Sequence, residues 1–166
     1  MTLCALLMAV TAVAQGNRLM IQDFEIIPDS TVMVPVTLVN SDASRGMQFN
    51  LTLPEGLTIE NVKATDYTKK LGLSVTYSES NGISTIILYQ MSKVCFPPDS
   101  ADVVLVTFQA SPKFRGGQLE LWKGRGSTME SKTFIIEGDT AVVTVPAASF
   151  ISIPTDLKPE EGYFFK

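Results

Sequence analysis

The residues of this chain that could act on a ligand, or hold one, are a set of carboxylates and a few large aromatics. The carboxylates are Glu25, Glu55, Glu60, Asp66, Glu79, Glu120 and Glu130. Glycoside hydrolysis needs two such groups about 5–9.5 Å apart in a cleft. These seven are scattered over polar strand faces and turns, so the sequence predicts no catalytic pair. Histidine is absent altogether, which removes Ser-His-Asp and Cys-His catalysis and most zinc sites. A calcium loop wants acids at alternating positions around a glycine. Asp99 and Asp102 lack that pattern, and Asp139 beside Gly138 stands alone. Gly124-Arg125-Gly126-Ser127 has the glycines of a phosphate loop without its Lys-Ser/Thr ending or its strand–helix context. It reads as a flexible loop. No metal, no cofactor and no enzymatic activity are expected.

The aromatics offer a different chemistry. Exposed rings in a row stack on sugars, and Trp122, Tyr67, Tyr77 and Tyr89 are the candidates. In Leu119-Glu120-Leu121-Trp122 the leucines share one face, so Trp122 falls on the face of Glu120 and is partly exposed if the leucines point inward. Tyr89 shares a face with Ile87 and Met91, so burial with its hydroxyl at the rim is as open to it as exposure. Ordinary packing competes with a stacking platform at every one of these rings.

The elements that must position such residues are strands. Met47, Phe49, Leu51 and Leu53 alternate with Gln48, Asn50 and Thr52, and Pro54-Glu55-Gly56 turns the chain into Leu57–Ala64. Apolar residues at period two mean a strand with one face in a core and one in water. The same grammar gives strands over Arg18–Ile27, Thr31–Val39, Gly46–Leu53, Leu73–Glu79, Ser84–Met91, Gln118–Trp122, Lys132–Glu137 and Thr140–Val145. Pro35 places an edge or a bulge in its strand. Ser80-Asn81-Gly82 reads as a hairpin turn. Asp66–Leu71 is the one short helical turn. Asp102–Ala110 is apolar enough to be a central strand buried on both faces, and Lys123–Ser131 reads as a loop. Nine or ten short strands with turns every ~8–12 residues predict an all-β sandwich of jelly-roll or immunoglobulin-like type.

Composition agrees. The chain has 166 residues, 45% of them apolar and 18% charged, with a net charge of −4. That suits one globular domain and disfavours nucleic acid, which needs a clustered positive surface. Lys69-Lys70 and Lys123-Arg125 are the densest basic spots and read as solvated turns. Leu3–Ala14 is an uncharged apolar run ending in the small-x-small Ala12-Val13-Ala14. It is shorter than the ~20 residues that span a bilayer and reads as an export signal over residues 1–14. A domain over 15–146 and a tail over 147–166 follow. With Cys4 removed, Cys95 is alone and reads as a small buried hydrophobe. The exported protein would be extracellular, at the cell surface or periplasmic, with no membrane span.

Taken in order, Val32-Met33-Val34-Pro35-Val36, then Gly46-Met47-Gln48-Phe49-Asn50-Leu51-Thr52-Leu53-Pro54-Glu55-Gly56-Leu57, then Ile86-Ile87-Leu88-Tyr89 and Val104-Leu105-Val106-Thr107-Phe108 form a recognisable series. It resembles the cohesin-like branch of the bacterial carbohydrate-binding-module superfamily, whose members carry a G-x-Q-F-x-L-x-L-P-x-G-L type segment and a later L-V-x-F strand. The resemblance covers about residues 18–145 and lies in core positions, so it carries over no binding residue. It implies a nine-stranded jelly-roll sandwich and a secreted, non-enzymatic binding module. The partner implied is a protein, dockerin-like or on a cell surface, with polysaccharide held on the exposed aromatics as the alternative.

Overall fold

Strand β4 (Gly46–Thr52) shows how alternation becomes a layer: Met47, Phe49 and Leu51 are buried while Gln48 and Thr52 are exposed. The computed structural model describes residues 16–90 and 95–147. The export signal expected at 1–14 and, from residue 148 on, the tail expected over 147–166 lie outside the described residues, as do residues 91–94 at the end of the predicted Ser84–Met91 strand. The other strands are β1 (Arg18–Met20), β2 (Phe24–Glu25), β3 (Thr31–Asn40), β5 (Leu57–Ala64), β6 (Ser74–Ser80), β7 (Ile83–Tyr89), β8 (Asp99–Ala110), β9 (Gly117–Ser127), β10 (Thr133–Ile136) and β11 (Asp139–Thr144). One short helix, α1 (Asp66–Lys70), follows its N-cap Thr65, whose hydroxyl accepts from the Thr68 amide at 3.2 Å.

The strands form two layers. A four-stranded sheet runs β1-β3-β8-β5, and a seven-stranded sheet runs β2-β11-β9-β4-β7-β6 with β10 paired to β9. Every pairing is antiparallel except β2 with β11. The core lies between the layers. Phe49, Leu51, Ile86, Leu88, Leu119 and Leu121 project from the larger sheet, and Val36, Val104, Val106 and Phe108 meet them from the smaller one, all 2% exposed or less. Phe24 stacks on Phe108 with ring centroids 5.2 Å apart, a contact worth ~0.5–1.5 kcal/mol beyond burial.

The all-β sandwich is the predicted class, and four local expectations change. Arg18–Ile27 is two strands on two different sheets, because the chain crosses the open margin of the sandwich between them. Ile21 and Ile26 are buried on the way, and the Ile21 amide donates to Asp139 Oδ2 at 3.0 Å. Lys123–Ser127 is strand, not loop. Lys123 takes a left-handed φ of 51°, and the register of β4 against β9 shifts there by one residue, the mark of a bulge. The glycines that look like loop composition are packing requirements. A Cβ on Gly126 would stand 2.2 Å from the Phe134 ring, and one on Gly124 would stand 2.5 Å from the Ile136 carbonyl. β8 is central, as predicted, yet only one face is fully buried; Leu105, Thr107 and Gln109 on the other are half-buried. Cys95 is half-buried, and Phe96 beside it takes the core position.

Pro35 meets its constraint in both of the ways foreseen. β1 pairs only with Thr37, Leu38 and Val39 of β3, so Pro35 lies beyond the end of that neighbour. A bulge follows it, since Val36 faces Val104 while Thr37 faces Asp102 and Val103 has no opposite.

Candidate functional site

The outer face of the seven-stranded sheet gathers the exposed side chains that a ligand would meet. Register sets them in rows. One row runs Trp122, Asn50, Thr85, Ser78 across β9, β4, β7 and β6, with the Thr85 hydroxyl donating to Asn50 Oδ1 at 3.1 Å. Two residues along β4, β7 and β6, and three along β9 across its bulge, a second row runs Ile135, Arg125, Gln48, Ile87, Thr76 from β10 to β6. Rows on one face of a sheet lie about 7 Å apart. The second row is the more open one, with Ile135 78% exposed, and Tyr89 lies just past its Ile87 at 40%.

Two shallow clefts open on this face. One of about 380 Å³ is lined by Gln48, Ile87, Tyr89, Arg125 and Thr133. The other, about 550 Å³, opens where β10 and β11 part along β9, between Trp122, Arg125, Ile135, Glu137 and Thr140. Exposed Ile135 and Tyr89 flank Arg125 and Gln48 on this face, and aromatics and arginine are the residues in which protein interfaces are enriched. Arg125 makes no ion pair among the described residues.

The four predicted aromatics divide between two environments. Trp122 lies on the Glu120 face, as the alternation required, and is partly buried. Its indole N–H donates to Thr52 Oγ1 at 2.9 Å, and the Lys123 ammonium sits 4.8 Å from the ring centroid. Tyr89 shares that outer face. Tyr67 and Tyr77 instead pack against the core. Burial raises the pKa of both; Asp99 adds to the effect at Tyr67. At Tyr77, Glu79 raises the pKa further, by hydrogen bond and by charge, against a lowering bond from Ser84. The Tyr77 hydroxyl donates to Glu79 Oε2 at 3.0 Å. The structure therefore brings two of the four rings to one face and leaves the other two on the core side.

The carboxylates Glu25, Glu55, Glu60, Asp66, Glu79, Glu120 and Glu130 are all exposed, on separate elements and turns. No three His, Cys, Asp or Glu side chains among the described residues are grouped to hold a metal ion. Asp139 and Asp102 are used structurally: Asp139 accepts from the Ile21 and Thr140 amides, and Asp102 Oδ1 accepts from the Thr37 hydroxyl at 2.6 Å. The exposed row was missed in the sequence, although Ile135-Ile136 held a clue. Adjacent apolar residues on a strand point to opposite faces, so one of the two had to face out.

Neither the family models nor the curated proteins match this sequence. Solved structures do match in fold. A non-cellulosomal cohesin from the archaeon Archaeoglobus fulgidus superposes with a TM-score of 0.62 at 15% identity, covering 78% of this chain and 91% of its own. The sixth cohesin of Acetivibrio cellulolyticus scaffoldin B, solved in complex with a dockerin, gives 0.64 at 17%, covering 79% and 99%. The cohesin module of a Clostridium perfringens family 33 glycoside hydrolase gives 0.62 at 12%, covering 80% and 99%. This chain is an all-β sandwich with the cohesin fold.

Proposed function

We propose that this chain is a non-enzymatic binding module that holds a protein partner on the outer face of its seven-stranded sheet. The row Ile135, Arg125, Gln48, Ile87, with Tyr89 beside it, carries the reading. It combines exposed apolar anchors, an arginine free of ion pairs and a flat strand scaffold. The cohesin of the scaffoldin structure holds a dockerin, which supports a protein as the class of ligand. The apolar leader at Leu3–Ala14 supports export, and with it an extracellular or cell-surface place of work. No helix among the described residues is long and apolar enough to cross a membrane.

The test is capture of secreted and surface proteins on the immobilised chain, followed by titration of whatever is retained. The control bait carries Ile135→Asp with Arg125→Glu; both residues are exposed, so folding should survive and is checked by circular dichroism. We expect one saturable protein partner whose affinity falls at least ~30-fold on the control, a loss of ~2 kcal/mol of the size found for anchor residues. A partner held equally by both baits would refute this face. So would retention on polysaccharide alone that disappears with Trp122→Ala.

A further inference from the structure

We propose that β6 is a self-pairing edge through which two copies of this chain join their seven-stranded sheets, independently of what the outer face binds. The edges of the sandwich are not alike. β1 and β2 are only three and two residues long. The free stretch of β3 carries Pro35. β5 is bulged between Ile59 and Asn61 and carries Glu60 and Lys63. These are the usual devices that stop strands from pairing with strangers: shortness, proline, bulges and charge. β6 has none of them in force. It is seven residues of Ser74-Val75-Thr76-Tyr77-Ser78-Glu79-Ser80, in unbroken register with β7, without proline and with a single charge. Its Val, Thr and Tyr favour extended backbone.

The hairpin turn tells which backbone groups face outward. Asn81 and Gly82 have φ of 53° and 73°, so β6 and β7 are joined by a two-residue turn of type I′. In such a turn the flanking residues, here Ser80 and Ile83, exchange two hydrogen bonds, and bonded pairs then alternate along the ladder. Ser78, Thr76 and Ser74 therefore bond to β7. Val75, Tyr77 and Glu79 aim their N–H and C=O groups at the open side, where none has a backbone partner among the described residues.

That edge is complementary to itself. A two-fold axis at Tyr77 sets Tyr77 against the partner's Tyr77 and Val75 against the partner's Glu79, and the reverse. The outward groups of all three residues are then satisfied in an antiparallel ladder. Glu79 meets valine and not a second glutamate, so no like charges stand opposite each other. Thr76 meets the partner's Ser78 on the outer face. Such isologous pairing is the commonest route to a closed dimer, and here it would extend the outer face into one surface with two sites.

The experiment is sedimentation equilibrium of the full chain over about a hundredfold range of concentration. We expect a reversible species at twice the 18.1 kDa chain mass. Two double variants test the register. Thr76→Lys with Ser78→Glu sets opposite charges across both outer pairs, and Thr76→Glu with Ser78→Glu sets like charges there. The second should dimerise about tenfold more weakly than the first, from cross-strand charge pairs alone. Glu79→Pro removes an outward N–H without touching the β7 ladder and should give monomer, with circular dichroism confirming the fold. A wild-type chain that stays monomeric throughout overturns the proposal. So does a dimer indifferent to the charge swap or to Glu79→Pro, which would have formed through another surface.

Discussion

Trp122 is the residue whose setting was most legible, since two inward leucines at Leu119 and Leu121 force it to the other side of its strand. What the pattern could not supply is its cover. The indole N–H bond to Thr52 and the ammonium of Lys123 over the ring join residues from β4 and from a bulge. Trp122 is the chain's single tryptophan, so its fluorescence reports on this site alone. Thr52→Val removes the acceptor while keeping the shape. We expect a red-shifted emission, easier quenching by iodide and a loss of about 1 kcal/mol in stability. Unchanged emission would mean that the hydrogen bond does not hold the ring. Ile135 marks the limit at this scale: alternation says that one of Ile135 and Ile136 faces out, but only the pairing of β10 with β9 says which.

Among the elements, the β6–β7 hairpin is specified almost entirely by its own residues. Period-two strands flank an Asn-Gly pair, and that pair takes the left-handed conformations a two-residue turn requires. Gly82 has open space around its Cβ position, so Gly82→Ala should cost only the backbone term, about 1 kcal/mol. Urea denaturation would show it as a lower midpoint with an unchanged slope. A neutral result would mean that the turn relaxes to another type. β9 is the opposite case. Its Gly-Arg-Gly-Ser stretch looks like a loop because the reasons for its glycines, the Phe134 ring and the Ile136 carbonyl, arrive from a neighbouring strand. Arg18–Ile27 reads as one strand for a related reason. Nothing local marks the point at which a chain leaves one sheet for the other.

For the whole molecule, the two core-side tyrosines couple the sandwich to pH. Burial holds the Tyr67 and Tyr77 phenols neutral above their usual range, with smaller help from Asp99 and from Glu79 respectively. A raised folded pKa contributes stability that is complete below the unfolded value of about 10 and is lost as pH climbs through the folded one. Urea midpoints should therefore hold up to about pH 10 and then fall, and the fall should be shallower when Tyr67 and Tyr77 are both phenylalanine. Equal slopes in the two proteins would refute the assignment. At this scale the sequence by itself determined the class of fold, the alternation of core and surface along β4, β7 and β9, and the hairpin turn. Those depend on side-chain period and local backbone preference, which a single strand already carries. The tertiary structure decided which strands are neighbours, and with that the row from Ile135 to Ile87, the crossing of the N-terminal strand between sheets and the open edge at β6. Register is a relation between segments distant in sequence, fixed only when the two layers close on a common core.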